Sequence, residues 1–322
     1  MTLFYFGKGK KDVTLENTLI ILQQIAIMFL LLAVGWTCAK IHLLTPHGTG
    51  QLSSIVLYVV NPMVILSTFQ TDFDASKFSN LGLVFLLSAV SYALMILLFH
   101  RILPNKPWEN RGVERFAAIY GNCGFMGIPL VQSLFGADGV FYLTAFFAAF
   151  TLFNWTHGVL LMAGKLNTKE TIKALCNPSL ICTIIGVLLY VLQLKLPSIP
   201  MTVIDDLSNM NTPLAMLVSG AAVAQTKLLD CFVHLRHYFI SALRLLAAPA
   251  IALLLVAFIP MDPVAKTTLV ILSGTPVASS TTLFAIRYRR DSQVAAQMFT
   301  LSTLLSAVTL PVLTLVCGLV IH

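Results

Sequence analysis

The run Gly121-Asn122-Cys123-Gly124-Phe125-Met126-Gly127-Ile128-Pro129 lies inside an apolar segment that extends from Arg115 to Leu134. A second run, Gly274-Thr275-Pro276-Val277-Ala278-Ser279-Ser280-Thr281-Thr282, interrupts the segment from Ala265 to Ile286. Each puts glycine, proline and small polar residues where a bilayer-crossing helix is otherwise expected. A helix broken at membrane depth leaves N–H and C=O groups that lipid cannot satisfy, so a break is tolerated only where it is buried in protein or lines a wet cavity. These two breaks decide the reading of the fold and mark the candidate site.

The rest of the chain supports the membrane reading. Only 10% of its 322 residues are charged and 57% are hydrophobic, against roughly 25% charged in soluble domains. Too few charges remain to make a water-exposed surface, which excludes soluble enzymes, nucleic-acid binders and disordered scaffolds. A crossing helix takes about 20 apolar residues. Ten such segments are read: 19–38, 51–69, 81–99, 115–134, 140–163, 178–194, 204–224, 238–258, 265–286 and 294–320. The fold class expected is an all-α polytopic membrane protein with ten spans and short connections. Cys38, Cys123, Cys176, Cys182, Cys231 and Cys317 lie in or at the ends of apolar runs and read as small hydrophobes, without metal spacing; no cofactor motif is visible. Lys8, Lys10 and Lys11 precede the first apolar run as in a signal peptide, but that run is long and lacks a small-residue cleavage site, so it is read as the first span.

The formal charge of +7 is unevenly distributed. Thirteen lysines and arginines fall in the loops after odd-numbered spans, and only Lys77, Lys195 and Lys266 after even-numbered ones. Basic residues collect in cytoplasmic loops, which puts the odd loops inside and both termini outside, in a plasma membrane. The N-terminal lysines oppose this assignment and are outweighed by five agreeing loops.

Breakers recur at matching places in the two halves. Asn61-Pro62 stands in the second span and the glycine-rich run in the fourth; Thr212-Pro213 stands in the seventh and the proline-hydroxyl run in the ninth. Five spans per half is an odd number, so the halves, 1–164 and 174–322, would enter the membrane in opposite senses, an inverted repeat. The candidate substrate-binding residues are Gly121, Asn122, Thr275, Pro276, Ser280 and Thr281 at the breaks, with Asn61 in the second span and Thr151 and Asn154 in the fifth. Half-helix N-termini there would offer N–H donors and partial positive charge, a natural seat for a carboxylate. The hydroxyls have an alternative use in close helix packing. His157 continues the stripe of Thr151 and Asn154 and reads as a partnered interhelical contact or a cavity group. Asp205 and Asp206 carry a coupling ion or stand at a solvated end, and Arg244, read as about two turns into the eighth span, is expected to snorkel to the interface. No Walker A run, HExxH or GxSxG occurs, and an enzyme is not expected.

At the breaks the sequence resembles the auxin efflux carrier family. The resemblance rests on Gly121 to Leu130, Asn154-Trp155-Thr156, Asn177-Pro178, Thr212 to Ala215, Thr275 to Thr281 and Ala285 to Tyr288. It implies two inverted five-helix repeats with crossed, unwound fourth and ninth helices, a scaffold of helices 1, 2, 6 and 7, and a mobile transport domain of helices 3–5 and 8–10. Asn122 then matches the crossover asparagine and Pro276 the crossover proline. Plant exporters carry proline where this chain has Gly121, which is expected to permit unwinding by flexibility. Their long loop between helices five and six is absent, so the resemblance favours a compact carrier and weakens any inference to auxin itself. The expected partners are a small organic anion and the lipid bilayer, with no nucleic acid, and a homodimer through the scaffold helices. The expected function is secondary transport of mono- or dicarboxylates by alternating access, with a sodium-coupled symporter or a non-transporting sensor as alternatives.

Overall fold

A computed structural model describes residues 12–104, 111–164 and 178–321. Lys8, Lys10, Lys11, Lys106, Lys165, Lys169, Lys173, Cys176 and Asn177 lie outside the described residues. Thirteen helical elements are used below: α1 Asp12–Lys40, α2 Pro46–Thr68, α3 Ala75–Ile102, α4 Arg111–Ile119, α5 Cys123–Ala163, α6 Pro178–Val191, α7 Ser198–Asn209, α8 Asn211–Ala224, α9 Leu228–Val233, α10 Leu235–Ala257, α11 Pro263–Ser273, α12 Ser280–Arg287 and α13 Ser292–Val320. Five of these, α2, α3, α5, α10 and α13, are long and apolar enough to cross a membrane, and shorter apolar helices accompany them. α5 turns sharply at Gly136 (φ 60°, ψ −142°), a conformation that glycine alone adopts cheaply. That turn separates the fourth and fifth apolar segments of the sequence.

Helix starts follow capping chemistry. Thr45 Oγ1 accepts the Gly48 N–H (3.1 Å) ahead of Pro46, and Asp74, Asp262 and Asp291 accept N–H groups of the first turns of α3, α11 and α13. α9, a short helix between α8 and α10, was not anticipated from composition. The breakers of the second and seventh apolar segments give modest distortions: α2 widens at Val56–Val60, and α7 gives way to α8 at Met210.

Three of the wide turns have a common cause. π-turns at Val56–Val60, Cys123–Gly127 and Leu243–Ala247 each end two residues before a proline, Pro62, Pro129 and Pro249. Proline lacks the N–H that would bond four residues back, and its ring crowds that carbonyl. The residue before it bonds five back instead, Asn61 N–H to Val56, Ile128 to Cys123 and Ala248 to Leu243. Each widened turn adjoins or carries a buried polar residue, Asn61, Asn122 or Arg244.

Two groups of helices emerge from the packing. α1 lies along α8, and α2 packs on α6, α7 and α8. The α1–α8 contact is backbone to backbone: a Cβ on Gly35 would stand 2.7 Å from Leu217 Cα, and one on Gly220 would stand 2.8 Å from Trp36 N and overlap the Leu32 carbonyl. In this group Ser67 Oγ donates to Asp205 (2.7 Å), and Asn211 Nδ2 donates to Asn61 Oδ1 (2.6 Å). The second group joins α3, α4, α5 and α10–α13. There Arg236 grips both carboxylate oxygens of Glu114 (3.0 and 2.7 Å), tying α10 to α4, and Arg290 Nε donates to the Met162 carbonyl (2.8 Å). Tyr190 with Asp74 and Thr300 with Thr226 connect the groups at chain connections. Exposed apolar side chains such as Leu30 (67%), Leu254 (67%) and Phe258 (88%) cover the outside, as a lipid-facing surface requires.

Candidate functional site

The two breaks meet. Between α4 and α5 the helix is interrupted at 120–122, and between α11 and α12 at 274–279. Gly121 and Val277 pair as an isolated antiparallel bridge: Asn122 N–H donates to the Pro276 carbonyl (2.7 Å), and Ala278 N–H to the Tyr120 carbonyl (3.0 Å). Val277 N–H is taken by Ser302 Oγ from α13 (3.0 Å). Each unwound segment thus satisfies the other, as low-dielectric surroundings demand.

Breaking two helices also creates two C-termini, each with orphan carbonyls and about half a negative charge. Both are met by Arg244. Its Nε donates to the Thr275 carbonyl (2.9 Å), Nη1 to the Ile119 carbonyl at the end of α4 (2.6 Å), and Nη2 to the Ser273 carbonyl at the end of α11. The residue is 0% exposed. Nine residues into α10, at ~1.5 Å each, the side chain starts about 14 Å along a helix that needs ~30 Å to span. The expected snorkelling is therefore overturned: the guanidinium is a deep clamp, its charge balanced by two helix ends. The planar fork suits the task, since one point charge could not reach carbonyls on two separate half-helices.

Gly121 is corrected as well. Its φ lies outside the left-handed region, so conformational freedom is not what selects it. A Cβ there would stand 2.8 Å from Arg244 Nη2 and 3.0 Å from Cζ, and would overlap Thr275 Oγ1. Glycine is needed because the guanidinium lies against the backbone.

The N-terminal sides of the breaks are chemically different. Asn122 starts the helical turn at Cys123, its Oδ1 accepting weakly from Phe125 N–H (3.4 Å), while its Nδ2 is buried without a partner. Ser280 and Thr281, at the start of α12, also have buried hydroxyls without partners. Asn61 sits close by: its Nδ2 is 3.7 Å from the Cβ position of Gly124 and is likewise unpartnered, as is Asn211 Oδ1. Of the nine residues expected from the sequence, Gly121, Asn122, Thr275 and Pro276 are brought together at the bridge, and Asn61 reaches the turn that follows it. Thr275 Oγ1 donates to the Leu272 carbonyl (2.7 Å). Thr151 Oγ1 donates to the Phe147 carbonyl of its own helix (2.8 Å), and Asn154 is buried with Oδ1 unpartnered. Asp205 is bonded to Ser67, and Asp206 stands exposed on α7.

Three residues escaped the sequence reading. Asn211 pairs with Asn61, and its signal is the shared pattern of asparagine shortly before proline, Asn61-Pro62 and Asn211-Thr212-Pro213. Tyr120 supplies a bridge carbonyl and holds His157 through its hydroxyl (2.9 Å to Nδ1). Ser302 caps the second unwound segment from a helix far along the chain, which no local pattern announces.

Comparison with known proteins finds membrane transporters. The chain is 25% identical over 297 residues to an uncharacterized transporter of Methanocaldococcus jannaschii, covering 88% of this chain and 95% of that one. It is 24% identical over 299 residues to an uncharacterized transporter of Methanothermobacter thermautotrophicus, covering 90% and 96%. A sequence profile described as membrane transport protein matches residues 20–173 and 164–314. The chain, all-helical in its described parts apart from the single bridge, belongs to that membrane transport protein family, the auxin efflux carrier family.

Proposed function

We propose that the protein is a secondary transporter of small organic anions, mono- or dicarboxylates, that binds its substrate at the N-terminal side of the crossover. The observation that carries this reading is the asymmetry of the breaks. Arg244 neutralises the two negative helix ends, which leaves the positive ends beside Asn122 Nδ2, Ser280 Oγ and Thr281 Oγ1, groups with hydrogen-bonding capacity unused. The nearest acidic residues in sequence are otherwise engaged, Glu114 by Arg236 and Asp291 as the cap of α13. A carboxylate meets the available donors and the dipoles together.

In this reading the chain crosses the membrane ten times as two inverted five-helix repeats. The fourth crossing is α4 with the first part of α5, the seventh is α7 with α8, and the ninth is α11 with α12. The group α1, α2, α6, α7 and α8 serves as the scaffold and the other as the moving body, in a plasma membrane with odd loops cytoplasmic and dimerisation through the scaffold. The internal ties Glu114–Arg236 and Arg290–Met162 support movement of the second group as a unit.

Thermal unfolding of the purified protein with acetate, lactate, malonate, succinate and malate tests the site. At 100 times Kd a ligand adds about 2.7 kcal/mol, so at least one acid is expected to raise Tm, and Asn122→Ala to abolish that rise. An unchanged rise in Asn122→Ala would place the ligand elsewhere.

A further inference from the structure

His157 lies in the π-turn Asn154–Gly158, six residues before the end of α5. Its hydrogen bonds assign its tautomer. Tyr120 Oη stands 2.9 Å from the Phe153 carbonyl and 2.9 Å from His157 Nδ1. A carbonyl can only accept, so with the single tyrosine proton donated to Phe153, His157 Nδ1 carries a hydrogen that it donates to Tyr120. Nε2 is then a bare lone pair, and it is buried with no partner. An imidazole nitrogen in that state is a vacant proton acceptor.

A neighbouring ring offers a route to it. The His100 and His157 centroids are 5.2 Å apart. His100 is half-buried near the end of α3, and its Nδ1 stands 2.8 Å from the Ile96 carbonyl, so by the same logic its own Nε2 is an acceptor. The other charged or titratable groups around the pair come from three elements. Tyr92 of α3 stacks on Tyr120, and Arg115 of α4 donates to the Leu103 and His100 carbonyls. On the α12 side Arg287 lies over the Tyr288 ring and Arg290 is taken by Met162. The Arg115 charge beside the two rings disfavours protonating both at once. Tyr120 is also a member of the crossover, its carbonyl holding Ala278 N–H.

We propose that His157 Nε2 is a proton-binding site that couples proton movement to the crossover: His100 delivers the proton from water on the side where α3 ends, and movement of the second helix group releases it to water on the other side. The imidazolium strengthens its Nδ1–H bond to Tyr120 and adds one positive charge beside the crossover, favouring the anion-bound state. The coupling rests on the transport reading above; the proton site does not.

Two arms keep the failures apart. In the first, the full chain with ¹⁵N-histidine in lipid nanodiscs is titrated from pH 8 to 4 by NMR, and His157 is assigned by difference with His157→Gln. The expected result is the Nδ1–H tautomer at high pH and double protonation that sets in only at the acid end of the range, because burial and the Arg115 charge disfavour the imidazolium, with Tyr120→Phe altering the tautomer balance. A ring that stays neutral throughout, or an Nε2–H tautomer, overturns the site. In the second, proteoliposomes take up labelled succinate or lactate with and without an inward gradient of one pH unit. Such a gradient supports up to about tenfold accumulation per coupled proton, and His157→Gln and His157→Asn are expected to reduce the gradient response to a ratio near 1. A wild-type ratio of 1, or an undiminished response in both variants, overturns the coupling. Absence of any wild-type flux refutes the transport reading and leaves the NMR arm to decide the proton site.

Discussion

Replacing Arg244 by glutamine is the sharpest perturbation that the crossover offers. The variant strips donors from three buried carbonyls, those of Ile119, Ser273 and Thr275. A buried acceptor left unpaired costs ~1–3 kcal/mol, so the gross loss is roughly 3–9 kcal/mol, with a midpoint of about 6. Against this stands relief from holding a charge in the membrane, ~3 kcal/mol on insertion scales. The lost bonds win, and the net destabilisation is about 3 kcal/mol. For a chain of this length Tm moves by about 2 °C per kcal/mol, so unfolding in detergent or nanodiscs is expected about 6 °C lower than wild type. Arg244→Lys should recover less than half of that, because a compact ammonium cannot bridge two half-helices. A glutamine variant within about 1 °C of wild type, with unaltered carboxylate binding, would refute the clamp.

Other substitutions follow from the same contacts. Gly121→Ala should cost about 1–3 kcal/mol by overpacking, because the guanidinium it meets is tethered on three sides; thermal unfolding reads this, and the cost should shrink in an Arg244→Gln background. Gly220→Ala pushes a Cβ into the backbone of α1 near Leu32 and Trp36, so a fall of at least several degrees in Tm and reduced folded yield are expected. Asn211→Leu removes the donor to Asn61 Oδ1 and should weaken carboxylate binding severalfold in a thermal titration while the Arg244-dependent stability is retained. Glu114→Gln weakens the Arg236 tie between α4 and α10; because Arg236 is partly exposed, a double-mutant cycle is expected to give about 1–2 kcal/mol of coupling.

The breaks were legible in the sequence because helix-breaking glycine and proline, with polar asparagine and hydroxyls, are costly inside an apolar run, so a cluster of them marks a place where the helix opens and is sheltered from lipid. Asn122, Pro276, Gly121 and Thr275 were placed together for that reason. Arg244 was misread because an arginine in a helix has a cheap local solution, snorkelling, whereas its actual partners are carbonyls 29, 31 and 125 residues away. Gly121 was misread for the same reason, since the crowding that selects it comes from Arg244. Local chemistry does account for three of the π-turns, those ending at Val60, Gly127 and Ala247, each of which has a proline two residues on; the turn at Asn154–Gly158 has none. The mild bends at Asn61 and Met210 show the converse, that asparagine and proline need not open a helix when a widened or restarted turn absorbs the missing bond. Tyr120 and Ser302 could not be read from patterning, because an aromatic or a serine in an apolar span looks like packing.

The central claim is that the N-terminal side of the crossover carries an organic anion across the bilayer. Saturable uptake of a labelled carboxylate into proteoliposomes, compared between wild type and an Asn122→Ala variant of matched Tm, measures it most directly. The account predicts saturable wild-type flux and at least a tenfold loss of kcat/KM in the variant. Equal flux in the two proteins would contradict it.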